Sequence, residues 1–272
     1  MPESGQPADH IPVALTIAGS DSSGGAGIQA DLKTFHHFGV YGASVITAVT
    51  AQNTTGISAI HPIPPEMVAE QYIQVMSDMK VDAVKTGMLM NVGIIRALAE
   101  AFEEYPPPNL VVDPVMISSS GTPLLDPSAI EVMIELIFPR AALVTPNLDE
   151  AAALLKSDPI VTIESMKEAV VEIQKLGPKS VLVKGGHLPE NEDAVDILYD
   201  GTKMDEIRAS RKRTGNVHGT GCTLSAAIAS GLAAGKSIHD SIVAAKEFIS
   251  ESIGNSRKLG SSDLLSGSGY LK

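Results

Sequence analysis

The fold is decided by Val13-Ala14-Leu15-Thr16-Ile17-Ala18 and the residues directly after it: Gly19, the glycine-rich Gly24-Gly25-Ala26-Gly27, and then Ile28 to Phe38. A short apolar run closed by glycine reads as a buried strand, and Ile28, Leu32 and Phe35 fall on one side of a helix. Strand, loop, helix is the unit, and it recurs outward along the chain. Strand patterns lie at 43–51 and 57–60, then a helix at 65–79, a strand at 83–85, a helix at 92–104, a strand at 110–112, a helix at 127–137 and a strand at 142–144. Helices at 148–155 and 163–176 lead to a strand at 181–184 and a pair of short antiparallel strands at 194–200 and 206–209. Two closing helices run to Ile253. Short apolar strands alternating with amphipathic helices predict an α/β three-layer α-β-α sandwich around a mostly parallel sheet. No internal repeat or linker divides the body, so 13–253 is expected to be one domain, with 1–12 an extension and 254–272 a poorly ordered Gly/Ser-rich tail.

The 272 residues carry a net charge of −12, which argues against nucleic acid and anionic membrane as partners. With 4% aromatic residues and no Trp, stacking surfaces for single strands are also disfavoured. A single cysteine excludes an intramolecular disulfide, no run is long enough to span a bilayer, and no basic segment followed by an apolar one opens the chain. A cytoplasmic setting is expected.

One later stretch carries the chemistry: Thr214-Gly215-Asn216-Val217-His218-Gly219-Thr220-Gly221-Cys222, followed by the small, Ala-rich run from Thr223 to Gly231. Glycines 215, 219 and 221 let a loop bend with its N–H groups exposed, and a helix is predicted from near Gly221. A helix N-terminus offers unpaired amides and about half a positive charge, so Gly219, Thr220 and Gly221 could hold a phosphoryl group. Cys222 is the ionisable group in that opening. A helix-end effect of about 1–2 kcal/mol would lower its pKa by roughly one unit, enough for a general base in phosphoryl transfer. The plainer reading is a tight turn into a buried helix, with Cys222 a small core residue.

In open parallel sheets ligands sit beyond the C-terminal strand ends. The residues there are Gly19-Ser20-Asp21, Gln52-Asn53-Thr54, Lys85-Thr86-Gly87-Met88, Asp113-Pro114-Val115, Thr145-Pro146-Asn147 with Glu150, and Lys184-Gly185-Gly186-His187. Polar, charged and glycine-rich residues recur at every exit. Asp113 is a turn aspartate or a functional one. Glu150 can cap a helix with Asn147 and also hold Mg²⁺ through water, since that ion keeps several waters and takes one or two carboxylates. Lys184 can follow moving phosphates. Gly24 to Ala30 contains a G-x-G-x-x-A pattern, yet it starts too far past its strand and lacks an acidic residue at the end of the second strand, against dinucleotide binding. Arg208, Arg211, Lys212 and Arg213 read as a solvated edge, and the histidines at 36, 37, 61 and 239 lack metal-ligand spacing.

Together these segments resemble the ribokinase-like kinases, and within them the hydroxymethylpyrimidine/phosphomethylpyrimidine kinases of thiamin synthesis. The similarity is carried by Ala18 to Thr34, Val45 to Ala48 with Ala51 to Thr54, Thr145 to Ala151, Val183 to His187 and His218 to Ser225. The resemblance implies that Gln52 hydrogen-bonds a pyrimidine's amine and ring nitrogen, with Gly19, Ala26, Asp31, Met88 and Val115 lining the pocket. It implies that Asp113, Asn147 and Glu150 organise Mg²⁺ and its waters, and that Lys184 and Thr220 meet the phosphates of ATP. Many sugar kinases of this class carry an aspartate where Cys222 stands, which points away from sugars. The implied activity is stepwise phosphorylation to a monophosphate and then a diphosphate, by a homodimer. Related alternatives are a pyridoxal or pyridoxine kinase and a non-catalytic pyrimidine sensor. The Ser/Gly content of 115–122 permits a mobile lid without predicting one, and the second domain some relatives carry is expected to be absent.

Overall fold

A computed structural model describes residues 10–118, 121, 123–186, 188, 193–211 and 217–264. The predicted alternation is present. In chain order the elements are β1 (Val13–Asp21), α1 (Gly27–His37), β2 (Tyr41–Asn53), β3 (Gly56–Pro62), α2 (Pro65–Asp78), β4 (Ala83–Thr86), α3 (Val92–Glu104), β5 (Val111–Val112), α4 (Pro127–Leu136), β6 (Leu143–Val144), α5 (Leu148–Leu155), α6 (Ile163–Gln174), β7 (Val181–Gly185), β8 (Asp193–Tyr199), β9 (Met204–Ser210), β10 (Val217–His218), α7 (Thr220–Ala233), α8 (Ile238–Gly254), β11 (Arg257–Leu259) and β12 (Ser262–Leu264).

The main sheet has nine strands in the order β3-β2-β1-β4-β5-β6-β7-β8-β9. Pairings from β2 through β7 are parallel, and β3, β8 and β9 join antiparallel at the edges. Period-two alternation sends adjacent residues of each central strand to opposite layers. Ala14, Ala83, Val111, Leu143 and Leu182 face α7, α8 and Phe35 of α1. Their neighbours Leu15, Val84, Val112, Val144, Val181 and Val183 face α2 to α6. Both faces are covered, so the strands read as continuous apolar runs.

Helix α7 is the innermost: every residue from Thr223 to Ala233 is buried. This explains its Ala, Ser and Gly content, because it lies between the sheet, α1 and α8 with no solvent face. At Gly231 an added Cβ would lie 2.6 Å from Ser241 Oγ and 3.1 Å from Ser241 Cα on α8. Absence of a side chain there sets how closely the two helices approach.

The tail departs from expectation. Residues 257–264 form the hairpin β11/β12, and β12 pairs parallel with β10, so backbone hydrogen bonds order a stretch whose composition lacks any periodicity. Ser261 N also donates to Thr54 Oγ1 (3.0 Å) in the β2–β3 turn. At the other end His10 Nε2 is bonded to Asp82 (2.8 Å), tying that residue to the body. Residues 1–9 and 265–272, His187, Lys212, Arg213, the 214–216 part of the glycine loop, and Ser119, Ser120 and Thr122 of the 115–122 segment lie outside the described residues.

Replacing Gly231 by Leu should lower unfolding stability by about 1–3 kcal/mol through overpacking of α7 on α8. Urea denaturation measures it, and a midpoint unchanged from wild type would contradict the packing described.

Candidate active site

Local sequence places each polar group. Strand β5 ends at Val112, and the next residue, Asp113, is buried with its carboxylate at a meeting of elements. Lys184 Nζ, near the end of β7, donates to Asp113 Oδ1 at 2.8 Å; Ser225 Oγ of α7 donates to Oδ2 at 3.2 Å; Thr145 Oγ1, just past β6, donates to Oδ1 at 3.4 Å. A Cβ on Gly221 would lie 3.5 Å from Lys184 Nζ and 3.9 Å from Asp113 Oδ2, so the first turn of α7 stands directly beside this ion pair.

Asn147 and Glu150 form a reciprocal capping box on α5: Asn147 N donates to Glu150 Oε2 and Glu150 N to Asn147 Oδ1, both at 2.8 Å. Glu150 is only 7% exposed. Burial pushes its carboxyl up to about 7; the charge of Asp113 adds to this and Lys184 opposes it. For Lys184, burial works against the charge, but Asp113 and Glu150 outweigh it and hold the ammonium above its ordinary value. Two acids thus share one cation. That surplus of hard oxygen donors fits Mg²⁺ held largely through water, with Asp113 and Glu150 as the carboxylates.

Helix α7 begins at Thr220 behind Gly219, which has φ +85° and makes no side-chain cap. The positive φ requires glycine, and so does the neighbour: a Cβ on Gly219 would lie 1.8 Å from Gly25 O. The glycine loop before α1 therefore packs against the glycine loop before α7. Asp21 holds the first loop, accepting from Ser23 N (2.8 Å), Gly25 N (3.1 Å) and Ala26 N (2.8 Å). Two uncapped helix N-termini meet here, since α1 also lacks a side-chain cap.

Cys222 lies at that junction, half-buried, and the backbone N–H of Gly27 donates to its sulfur. The expected lowering of its pKa is corrected by the structure. Burial pushes the thiol up to about 11; Lys85 and the Gly27 N–H act downward, and the carboxylates of Asp31 and Asp113 act upward. Desolvation and two nearby anions outweigh the helix end.

On the substrate side, Met88, Ala48 and Leu124 form a small apolar cluster separate from both cores, with Val115, Ile57, Ile60 and Met90 packed on it. Gly19 adjoins it: a Cβ there would lie 2.2 Å from Met88 Cε. Gln52, half-buried near the end of β2, has its backbone bracketed by Ser22, whose Oγ donates to Gln52 O (2.7 Å) and accepts from Gln52 N (2.9 Å). Ala26 precedes α1. Gly19, Gln52, Ala26, Met88 and Val115 are thus grouped along the ends of β1, β2 and β4.

Asp31 is placed differently from the pocket-lining position expected of it. It has no exposed surface; its Oδ2 accepts from Thr16 Oγ1 (2.6 Å) and Lys85 Nζ (2.8 Å). Lys85, Thr16, Ser225 and Asp21 are functional-site neighbours to which sequence reasoning gave no role. The available signal was Lys85 itself, a cation inside the central strand Ala83-Val84-Lys85-Thr86, where water cannot reach it. Arg208 does lie at an exposed edge with Glu206, whereas Arg211 donates to Leu188 O at 2.7 Å. A cleft of about 610 Å³ between α2 and α3, lined by Glu66, Glu70, Arg96 and Glu100, contains none of these strand-exit residues.

Comparison with known proteins bears on the fold and the family. An ADP complex of Bacillus subtilis pyridoxal kinase superposes with a TM-score of 0.87 at 39% identity, covering 96% of this chain and 98% of that one. Fold and site together define a ribokinase-like protein. The family model described as phosphomethylpyrimidine kinase matches residues 21–265. The chain is 44% identical over 248 residues to the hydroxymethylpyrimidine/phosphomethylpyrimidine kinase of Bacillus subtilis, covering 91% of each. It is 48% identical over 248 residues to the probable chloroplastic thiamine biosynthetic bifunctional enzyme of Oryza sativa, covering 91% of this chain and 45% of that protein. The chain spans about half the length of the first curated relatives it matches. It belongs to the phosphomethylpyrimidine kinase family.

Because Cys222 is the chain's single cysteine, thiol chemistry reports on it alone. A raised pKa leaves the thiol protonated at neutral pH, so alkylation by iodoacetamide should be slow at pH 7 and rise about tenfold per pH unit towards pH 9. A rate already level by pH 8 would contradict the burial effect.

Proposed function

We propose that the chain is a kinase that transfers the γ-phosphoryl group of ATP to 4-amino-5-hydroxymethyl-2-methylpyrimidine, giving the monophosphate and then the diphosphate in thiamin biosynthesis. The observation that carries the reading is the start of α7: Thr220 and Gly221 present its open N-terminus beside Lys184 and Asp113, with Cys222 on the next position of the same turn. Gln52 meets the aminopyrimidine edge, because an amide side chain sets a donor beside an acceptor. Gly19, Ala26, Met88 and Val115 surround the ring, and Asp31 supports the site from behind.

The amides at Gly219 to Gly221 receive the γ-phosphoryl group, and Lys184 and Asn147 lie towards the nucleotide. In the transfer, the substrate's hydroxymethyl oxygen attacks the γ-phosphorus, its proton passes to the minor thiolate fraction that a Cys222 pKa of about 11 leaves at neutral pH, and the bond to the β-phosphate oxygen breaks to release ADP. Mg²⁺, held through water by Asp113 and Glu150, supplies counter-charge to the phosphates when bound. In the second round the monophosphate's terminal oxygen takes the acceptor position. A homodimer in the cytoplasm is the proposed setting; among the described residues no helix is long and apolar enough to cross a membrane.

The fold's likeness to a pyridoxal kinase favours one second reading, phosphorylation of pyridoxal, which also offers a hydroxymethyl group on a nitrogen heterocycle. Incubation with ATP, Mg²⁺ and either heterocycle decides between them: a higher kcat/KM on the pyrimidine, with both phosphates seen by mass spectrometry, is expected, and no product from the pyrimidine at saturation would end the first reading. Cys222→Ala should lower kcat at least about 100-fold with the KM for ATP little changed. Gln52→Leu should cost more than about tenfold in kcat/KM on the pyrimidine, since it leaves polar groups of the ring unpaired.

A further inference from the structure

Lys184 binds an acid two strands away although another stands directly opposite it. In the antiparallel β7/β8 ladder its partner is Asp196, and residues paired in this way carry their side chains on one face with Cβ atoms roughly 4.5–5.5 Å apart. Opposite charges so placed ordinarily bind each other. Lys184 Nζ instead crosses the sheet past β6 and donates to Asp113 Oδ1 at 2.8 Å.

Asp196 does not take it because both of its oxygens are occupied. Oδ1 accepts from Gly185 N at 2.9 Å, and Oδ2 accepts from Lys246 Nζ of α8 at 2.5 Å. The first bond fastens the carboxylate to the residue next to Lys184. The second neutralises it away from water, since Asp196 is 4% and Lys246 6% exposed. Anchorage of α8 does not account for this pair. The layer between the sheet and α8 is built from apolar residues, among them Leu182, Leu198, Ile207, Ile242 and Ala245, and a buried ion pair is often no better than such residues of the same volume. Without Lys246, the Asp196 carboxylate would be buried with only the Gly185 N–H to stabilise it, which is strongly unfavourable. Lys184, on a flexible four-carbon stem, is the cation placed opposite to relieve it. Asp113 would still keep its bonds from Ser225 and Thr145.

We propose that Lys246 is a positioning residue: by occupying Asp196 it leaves Lys184 free to stand on Asp113, beside the first turn of α7. Its effect on activity rests on the reading of Lys184 as a phosphate contact, but the place of Nζ can be read whether or not the chain turns over.

The test is a crystal structure of the full chain as Lys246→Met, beside its KM for ATP measured with Mg²⁺ and the pyrimidine. Nζ of Lys184 should leave Asp113 for Asp196, and the KM for ATP should rise at least about tenfold, because a contact that binds the nucleotide is lost. In the double variant Lys246→Met/Asp196→Asn no unpaired charge draws Lys184 away, and the amide oxygen still accepts from Gly185 N. Nζ should therefore return to Asp113 and the KM to within about threefold of wild type, a non-additivity expected of residues in one network. A pair that only anchors α8 would leave Nζ on Asp113 in every variant. If Lys246→Met does not fold, Lys246→Gln, which offers Asp196 a hydrogen bond without a charge, is read in its place. Nζ still on Asp113 in a folded single variant, or still away from it in the double variant, would overturn the assignment. Nζ moved to Asp196 with the KM for ATP unchanged would uphold Lys246 as the positioning residue and remove Lys184 from the nucleotide site.

Discussion

One buried carboxylate, Asp113, sets the rotation of α7 and with it the division of labour in the site. Four segments converge on it: β5 carries it, Thr145 and Lys184 reach it from the neighbouring strand ends, and Ser225 reaches it from α7. Ser225 and Gly221 are four residues apart and therefore share a face of the helix. That face is turned to the Asp113–Lys184 pair. Cys222, one position on, is rotated by about 100° around the axis and meets instead the backbone N–H of Gly27. Ser225 Oγ is also within reach of Gly221 O (3.1 Å) and Cys222 O (3.0 Å), so the same hydroxyl ties the Asp113 carboxylate to the first turn of α7.

Translation along the helix is fixed by glycines. Gly219 cannot carry a side chain because Gly25 O occupies its Cβ position, and Gly27 cannot because Gly19 O lies 2.3 Å from its own. These contacts lock the start of α1 to the start of α7, bringing the Gly27 N–H to the Cys222 sulfur. The C-terminal hairpin extends the same connection. β12 lies on β10, the strand leading into Gly219, and Ser261 of that hairpin binds Thr54 in the turn after Gln52. The backbone at the start of α7 and the backbone around Gln52 are held in one framework.

The alternation of apolar strands and amphipathic helices was legible from sequence because each carries its own periodicity; α3 and α5 have the bounds their patterns predict. The tail was not legible, since β11 and β12 depend on pairing with β10 and have no hydrophobic face of their own. Grouping of strand-exit residues was legible from the rule of parallel sheets, and Asp113, Glu150 and Lys184 are indeed brought together. The ionisation of Cys222 was not. A helix end is visible in sequence, but the depth of burial and the approach of Asp31 and Asp113 depend on residues far away along the chain. Asp31 was misplaced for the same reason: its partner Lys85 is 54 residues distant, and nothing local reports the pair.

The local balance of charge explains how a chain of net charge −12 could take a polyphosphate. The buried cations are already matched: Lys85 with Asp31, Lys184 with Asp113, and Lys246 of α8 with Asp196 of β8. No side-chain cation is left over among these pairs, and the start of α7, which has no side-chain cap, adds the positive end of a helix beside Lys184 and Asp113. Glu150 adds a second acid beside Lys184; burial is the main reason its carboxyl is pushed up to about 7, and the charge of Asp113 adds to it. An anion approaching Glu150 and Asp113 is repelled unless positive charge arrives with it. Two acids beside one paired cation, at the uncapped start of α7, leave this corner of the site short of positive charge.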